Sequence, residues 1–223
     1  MSVGVSIIIC THNGKNRLPI VFDYINNLQI PVQVNWEVLI VDNASTDGTS
    51  DWIDELKLSK KTSFILFCIH EKKPGLNYAR ITGAKYANYE WLLFCDDDNL
   101  LDCNYIKFWY DCLLNHTNLG ALGGKGIPLT EHPRPDWFIE YSHSFAVGPQ
   151  YSKNGFISKG SALYGAGLFV LKTPILQIVD NGFNMIMSDR ESGKLTSGGD
   201  LEWCYLLQLS GLKLYYDEQR IVK

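Results

Sequence analysis

Apolar positions in this chain fall in short blocks separated by polar turns, and the blocks alternate between two rhythms. Val5-Ser6-Ile7-Ile8-Ile9-Cys10 is β-branched and nearly continuous, the pattern of a strand buried on both faces. After the turn-prone Thr11-His12-Asn13-Gly14, apolar residues recur at Leu18, Val21, Phe22, Ile25 and Leu28, which is helical spacing. Trp36 to Val41 predicts a second strand, followed by the loop Asp42-Asn43-Ala44-Ser45. Ser45 is placed to cap a helix whose apolar stripe is Trp52, Ile53 and Leu56. Phe64 to Ile69 predicts a third strand, and residues 75–87 a helix with Leu76, Ala79, Gly83 and Tyr86 on one face. Trp91 to Cys95 predicts a fourth strand, and Asp102 would cap a helix carrying Ile106, Trp109 and Leu113.

Strand–helix–strand repetition implies right-handed crossovers and an α/β fold with a mostly parallel, Rossmann-like sheet and helices on both faces. Sites in such folds form beyond the carboxyl ends of the strands. Thr11-His12-Asn13, Asp42-Asn43 and Asp96-Asp97-Asp98 all follow strands, so all three should open on one sheet edge. The rhythm breaks near Gly123. Residues 123–160 are rich in Gly, Pro and aromatics without a sustained period, and a run of that length is usually functional. Trp137, Phe138, Tyr141, Phe145, Tyr151 and Phe156 predict that it packs. Order resumes with Ser161 to Leu171, a strand interrupted at Gly165-Ala166-Gly167. Leu201 to Leu209 follows as a buried helix, and Leu212 to Tyr216 as a last short strand.

With 20 Lys+Arg against 24 Asp+Glu in 223 residues, the net charge of −4 argues against a nucleic-acid binder or a general ligand of anionic membranes. A 46% hydrophobic share excludes disorder and a coiled coil, and the length suggests one domain. The six cysteines form no C-x-x-C pair, so they are expected as small core hydrophobes in a reducing compartment. No apolar run approaches the roughly 18 residues that span a bilayer, and MSVGVSIIIC lacks the marks of a signal peptide. The expected location is the cytoplasm, with peripheral attachment at the inner face of a membrane left open.

The acidic residues carry the candidate chemistry. Asp96-Asp97-Asp98 follows an apolar strand, where three carboxylates repel one another unless a cation joins them. Mg²⁺ or Mn²⁺ takes oxygen ligands, commonly one or two carboxylates with substrate phosphates. Residues two apart in an extended chain share a side, so Asp96 and Asp98 can face one ligand. The other explanation is a solvated acidic turn. Asp42 could accept from a base or ribose, or simply hold an Asx turn. Thr11, His12 and Asn13 are each explicable as a turn, and Arg80 could clamp a diphosphate or make a surface ion pair. Asp200 follows Gly198-Gly199 at a helix start, where capping or general-base chemistry would each suit it.

Several segments, in order, resemble family 2 glycosyltransferases of the GT-A type, such as those of bacterial polysaccharide biosynthesis. They are Ile7 to Asn13, Val41-Asp42-Asn43-Ala44-Ser45-Thr46-Asp47-Gly48-Thr49, Gly75-Leu76-Asn77-Tyr78-Ala79-Arg80, Phe94 to Asp98 as a D-x-D motif, and Gly199-Asp200-Leu201-Glu202. The resemblance covers nearly the whole chain, with 1–118 as the nucleotide-sugar half and 119–223 as the acceptor side. It implies a hexosyl- or N-acetylhexosaminyl-transferase that moves a sugar with inversion. The donor would be a nucleotide sugar, a UDP-sugar first, and the acceptor a hydroxyl of a saccharide or lipid-linked saccharide, with Mn²⁺ or Mg²⁺ as cofactor. Thr11, Asn13 and Asp42 would contact base and ribose, and Arg80 the phosphates. Asp96 and Asp97 would reach the nucleotide sugar, Asp98 with Asp96 the metal, and Asp200 would be the base.

Three departures stand out. Gly199 replaces a frequent Glu, which leaves the base open between Asp200 and Glu202. Ile81 replaces an Asn that could brace a loop, and the chain stops at Lys223 where members commonly continue. A nucleotide-sugar-binding module without catalysis is the alternative. A haloacid-dehalogenase-type phosphatase fits less well, because Asn99-Leu100 follow the triplet where Thr or Val would be expected downstream of the nucleophile. A nucleotidyltransferase would want a Gly-rich basic loop after the first strand, and none is there.

Overall fold

The computed structural model describes residues 3–59, 62–130, 132–187 and 197–223. Val3–Thr11 forms β1, Val34–Asp42 β2, Leu66–His70 β3 and Trp91–Asp96 β4; the helices between them are α1 (Leu18–Asn26), α2 (Thr49–Ser59) and α3 (Leu76–Tyr86). After α4 (Tyr105–Asn115) come β5 (Leu119–Gly126), α5 (Phe138–Tyr141) with a 3₁₀ turn over Ser142–Phe145, and β6 (Gly155–Phe156). The chain continues through β7 (Leu168–Leu171), α6 (Lys172–Asp180), α7 (Gly199–Leu209) and β8 (Lys213–Val222). The described strands make one sheet in the order β3-β2-β1-β4-β7-β5-β8-β6. β1, β2, β3 and β4 are mutually parallel, as are β5 and β8, while β7 runs antiparallel between β4 and β5.

The near-continuous apolar strands β1, β2 and β4 are buried on both faces, as their composition requires. One layer packs α1 and α4 through Phe22, Ile25 and Trp109, the last stacked on Phe169 of β7 at 5.4 Å. The other packs α3, α6 and α7 through Ala79, Ile175 and Trp203. Gly83 lets α3 lie close to the sheet: a Cβ there would come within 2.7 Å of Ile8 and 3.1 Å of Val41. Trp203 meets Phe94 edge to face, with centroids 4.9 Å apart, and so docks α7 against β4.

Several expectations need correction. Ser161–Leu171 is a strand only from Leu168; the residues before it form turns that carry a loop to the edge of the sheet. Gly-rich β5 and amphipathic α6 are elements that the apolar rhythm did not reveal, and β8 continues past Tyr216 to Val222. Asp47, not Ser45, caps α2, because its Oδ1 accepts from the Thr49 backbone N–H at 3.0 Å. The aromatics of 123–160 do not enter the core as a group. Tyr151 packs against Tyr216, whereas Trp137, Tyr141 and Phe145 gather on one another and stay exposed.

The six cysteines are free, and among the described residues no helix is long and apolar enough to cross a membrane. Burial raises the Cys10 and Cys204 thiols to about 12 and lifts Cys95 well above its ordinary value. The thiolate is the reactive form, so these three should resist iodoacetamide at pH 8 in the folded protein and react after denaturation. Peptide mass spectrometry reads this directly. Native labelling of Cys204 at the rate of a free thiol would contradict the packing described.

Candidate active site

β1, β2 and β4 end side by side, with Thr11 paired to Asp42 and Cys10 to Asp96 in register. The loops that follow therefore open together, and a two-lobed cleft lies over them. One lobe, about 440 Å³, is lined by Thr11, His12, Asn43, Gly75 and Ala79 among others. The second, about 660 Å³, is lined by Arg80, Asp98, Phe145, Gly165 and Asp200 among others. Arg17, Leu76, Asp96 and Asp97 line both, so the lobes are continuous.

The three consecutive aspartates do three different things. Asp97 is buried at the floor shared by the two lobes. Both of its oxygens accept from Arg17, Oδ1 from Nε at 3.0 Å and Oδ2 from Nη2 at 2.7 Å, and Oδ2 also accepts from the Thr11 hydroxyl. Such a two-pronged pair is strong and geometrically specific, and the carboxylate holds the Arg17 guanidinium above its ordinary range. All three line the cleft, but Asp97 alone is engaged on both oxygens by Arg17. Asp96 lies 3.5 Å from Arg80, and Asp98 is exposed. Among the described residues no group of three His, Cys, Asp or Glu side chains could hold a metal unaided. Two carboxylates beside an open cleft nevertheless fit Mg²⁺ or Mn²⁺, whose other ligands would come from phosphate and water.

Arg80 projects from α3 and is only 3% exposed. Its guanidinium carbon lies 5.0 Å from the centre of the Phe94 ring, next to the Asp96 carboxylate. Gly165 separates it from Asp200. A Cβ on Gly165 would sit 2.9 Å from Arg80 Nη2 and 3.2 Å from Asp200 Cβ. The Gly165 N–H donates to Asp200 Oδ2 at 2.8 Å, and the Leu201 N–H to Oδ1 at 2.9 Å. Asp200 is thereby fixed at the start of α7, on the wall of the lobe that the aspartate triplet also lines. Glu202 is placed differently. It is 7% exposed and does not line either lobe, and its oxygens accept the N–H groups of Ile186 at 2.8 Å and Met187 at 3.0 Å.

The remaining predicted residues build the loops. Asp42 is buried under the turn it organises, accepting from the Ser45 N–H at 3.1 Å and from the Ser50 hydroxyl, with His70 Nδ1 3.5 Å away. Asn13, at φ 54°, receives the Thr46 N–H on its side-chain oxygen at 2.7 Å. His12 donates Nδ1–H to the Asn43 carbonyl at 2.7 Å, the tautomer required if Asn13 Nδ2 donates to Nε2 at 3.2 Å. Asn43, on the cleft wall, ties the 71–75 loop by giving Nδ2–H to the carbonyls of Glu71 and Lys73 and accepting the Gly75 N–H. That loop is therefore braced without the asparagine that Ile81 replaces.

Arg17 was the residue missed. A cation at the N-terminus of α1 opposes the helix dipole, and that unfavourable position was the available signal of a carboxylate elsewhere. Arg17 is about half exposed, so Arg17→Ala should cost only about 1–2 kcal/mol and lower the thermal midpoint by about 2–8 °C. Arg17→Lys keeps the charge without the fork and should fall in between. An unchanged midpoint in Arg17→Ala would show that Asp97 needs no partner. Gly165→Ala should lower the midpoint and displace the Arg80 guanidinium, visible as a shifted side-chain Nε–Hε resonance in NMR spectra.

A family model described as "Glycosyl transferase family 2" matches residues 6–123. A curated relative, the poly(ribitol-phosphate) beta-glucosyltransferase of Bacillus spizizenii, is 22% identical over 217 residues, 93% of this chain and 33% of that protein. Among solved structures, S. aureus TarS 1–349 in complex with UDP-GlcNAc superimposes with a TM-score of 0.68 at 15% identity, covering 99% of this chain and 57% of that one. The mannosyltransferase PcManGT from Pyrobaculum calidifontis, in complex with GDP-Man and Mn²⁺, gives 0.69 at 17%, covering 98% and 55%. The chain thus spans about a third of the length of the curated relative and under three-fifths of these structures. At these identities the structures establish the shared GT-A-type fold, and the family model, matching just over half of the sequence, establishes membership: the chain belongs to glycosyl transferase family 2.

Proposed function

We propose that the chain is the catalytic unit of a divalent-metal-dependent, inverting glycosyltransferase that uses a nucleotide-diphosphate sugar. The observation that carries this reading is the convergence of Asp96, Asp98, Arg80 and Asp200 on one cleft lobe, continuous with a second lobe walled by backbone and polar loop groups. The second lobe suits the nucleoside. Thr11, Asn43 and the Gly75 turn line it, and Asp42 and Asn13 hold its rim in shape. Asp42 lines neither lobe and is buried beneath its turn, so it serves the nucleoside through the loop it holds. Asp96 reaches the junction of the lobes, where ribose and phosphate would meet.

Asp98, with Asp96, would hold Mn²⁺ or Mg²⁺, which when bound supplies positive charge to the departing diphosphate. Arg80 adds fixed positive charge to the same wall. Asp200 takes the proton from the acceptor hydroxyl as its oxygen bonds to the anomeric carbon and the bond to the diphosphate oxygen breaks, which inverts that centre. Its anchoring by the Gly165 and Leu201 N–H groups orients the carboxylate for that task. Glu202, engaged by Ile186 and Met187, is not the base in this reading. A UDP-sugar is the first donor to try, and a GDP-sugar the comparison arm that the Pyrobaculum relative supplies. A saccharide or lipid-linked saccharide is the acceptor class, and attachment to the membrane surface would be peripheral.

The test is a thermal-shift and turnover series with UDP- and GDP-sugars and Mn²⁺. A donor at a hundredfold excess over Kd should stabilise the folded chain by about 2.7 kcal/mol. Asp98→Ala should abolish the metal-dependent part of both binding and turnover. Asp200→Asn should bind donor as the wild type does and lose transfer by a factor of about 10² to 10⁴. Metal-dependent turnover surviving in Asp98→Ala would sink the reading. Donor binding without turnover in the unsubstituted chain would assign it instead to a binding module.

A further inference from the structure

The donor cleft leaves the aromatic segment between β5 and β7 unexplained. Trp137 is 52% exposed and Phe145 56%, although both are large apolar groups that a folded chain would ordinarily cover. The Trp137 ring lies 6.3 Å from those of Phe138 and Phe145 and 6.5 Å from that of Tyr141, at interplanar angles between 39° and 63°. Among the described residues no ring is laid flat against it, and about half of its surface is exposed. Phe145 also lines the lobe that holds Asp98 and Asp200, which makes the patch an outward continuation of the cleft wall.

We propose that this patch, with Phe145 at its inner end and Trp137 at its centre, binds a saccharide ring of the acceptor. The inference rests on the transferase reading above. One face of a pyranose ring presents C–H bonds of slight positive charge, and the face of an indole or phenyl ring carries the negative side of its quadrupole. Stacking of that kind leaves the hydroxyl groups at the sugar's rim in need of partners. Asp136 and Glu140 are exposed within the same segment and accept hydrogen bonds. Continuity with the lobe that holds Asp200, through Phe145, is what favours a sugar over an anionic bilayer as the occupant. The one arginine of the segment, Arg134, sits 5.9 Å over the Phe138 ring. A saccharide held here would extend from the cleft, with its terminal hydroxyl able to lie beside Asp200.

The experiment is calorimetric titration of the chain, with UDP and Mn²⁺ present, against chitotetraose, cellotetraose and maltotetraose. Vesicles of phosphatidylglycerol form a separate arm. At least one tetrasaccharide should bind, and Trp137→Ala should weaken it by about two- to tenfold, while Trp137→Tyr restores most of the loss. Because Trp137 is exposed, the thermal midpoint of Trp137→Ala should match the wild type. Equal binding in Trp137→Ala, binding of none of the three sugars, or Trp137-dependent attachment to vesicles in place of sugar would each overturn the proposal. UDP with Mn²⁺ is titrated first. Failure of the unsubstituted chain to bind UDP refutes the donor reading, whereas UDP binding with saccharide affinity indifferent to Trp137 refutes only this one.

Discussion

A nearly buried guanidinium governs the arrangement of the cleft. Arg80 cannot leave water without compensation, and its surroundings supply it from several sides: the Phe94 ring beneath, Asp96 at the strand end, and the Gly165 loop packed against it. Phe94 in turn receives the edge of Trp203, which fixes α7 and hence Asp200. One aromatic residue of β4 therefore sets the distance between the cation on α3 and the carboxylate on α7. Gly83 is part of the same constraint, since α3 could not bring Arg80 down to Phe94 if it were held further from Ile8 and Val41.

The aspartate triplet shows how neighbouring carboxylates avoid destabilising one another. The turn that closes from the Asn99 N–H to the Asp96 carbonyl at 3.0 Å presents Asp97 to Arg17 and Thr11, which satisfy it, while Asp96 and Asp98 face the cleft without that pair. Asp97 neutralises its share of the local charge with protein groups and ties α1 to the end of β4. Asp96 in turn faces Arg80 at 3.5 Å, and Asp98 stands exposed on the wall of the same lobe.

Much of this was legible in the sequence, and the exceptions have identifiable causes. β1, β2 and β4 announced themselves because a strand buried on both faces must be apolar throughout, and parallel pairing then gathered Thr11, Asp42 and Asp96. β5, with the sequence Leu119-Gly120-Ala121-Leu122-Gly123-Gly124-Lys125-Gly126, gave no such signal. Its glycines serve close packing: a Cβ at Gly124 would lie 2.1 Å from the Arg220 carbonyl oxygen, a condition set by a residue almost a hundred positions away. The polar Asp217-Glu218-Gln219-Arg220 hid the extension of β8 for a similar reason, since Arg220 is buried by donating to the Phe108 carbonyl at 2.7 Å. Asp200 and Glu202 were equivalent on spacing alone. What separates them is that Glu202 meets Ile186 and Met187, partners that no local pattern indicates.

The second half of the chain reaches the cleft because β7 runs against its neighbours. Antiparallel pairing of Phe94 with Leu168 and of Trp91 with Leu171 puts the start of β7 at the edge where β1, β2 and β4 end. The turn before it, including Gly165, is thereby delivered to Arg80 and Asp200; a parallel β7 would have carried that turn to the opposite edge. β8 completes the enclosure from the other side. Its last residues reach the loop after the triplet, where Leu100 and Lys223 exchange backbone hydrogen bonds at 2.7 and 2.9 Å and Leu101 bridges Val222. The loop bearing Asp98 is thus held between Asn99, which accepts the Asp96 N–H, and the end of β8. Exposure of Asp98 is a consequence of that support. A carboxylate on an unsupported loop could turn away from its neighbours, whereas this one is held at the wall of the lobe that Asp96 and Asp200 also line.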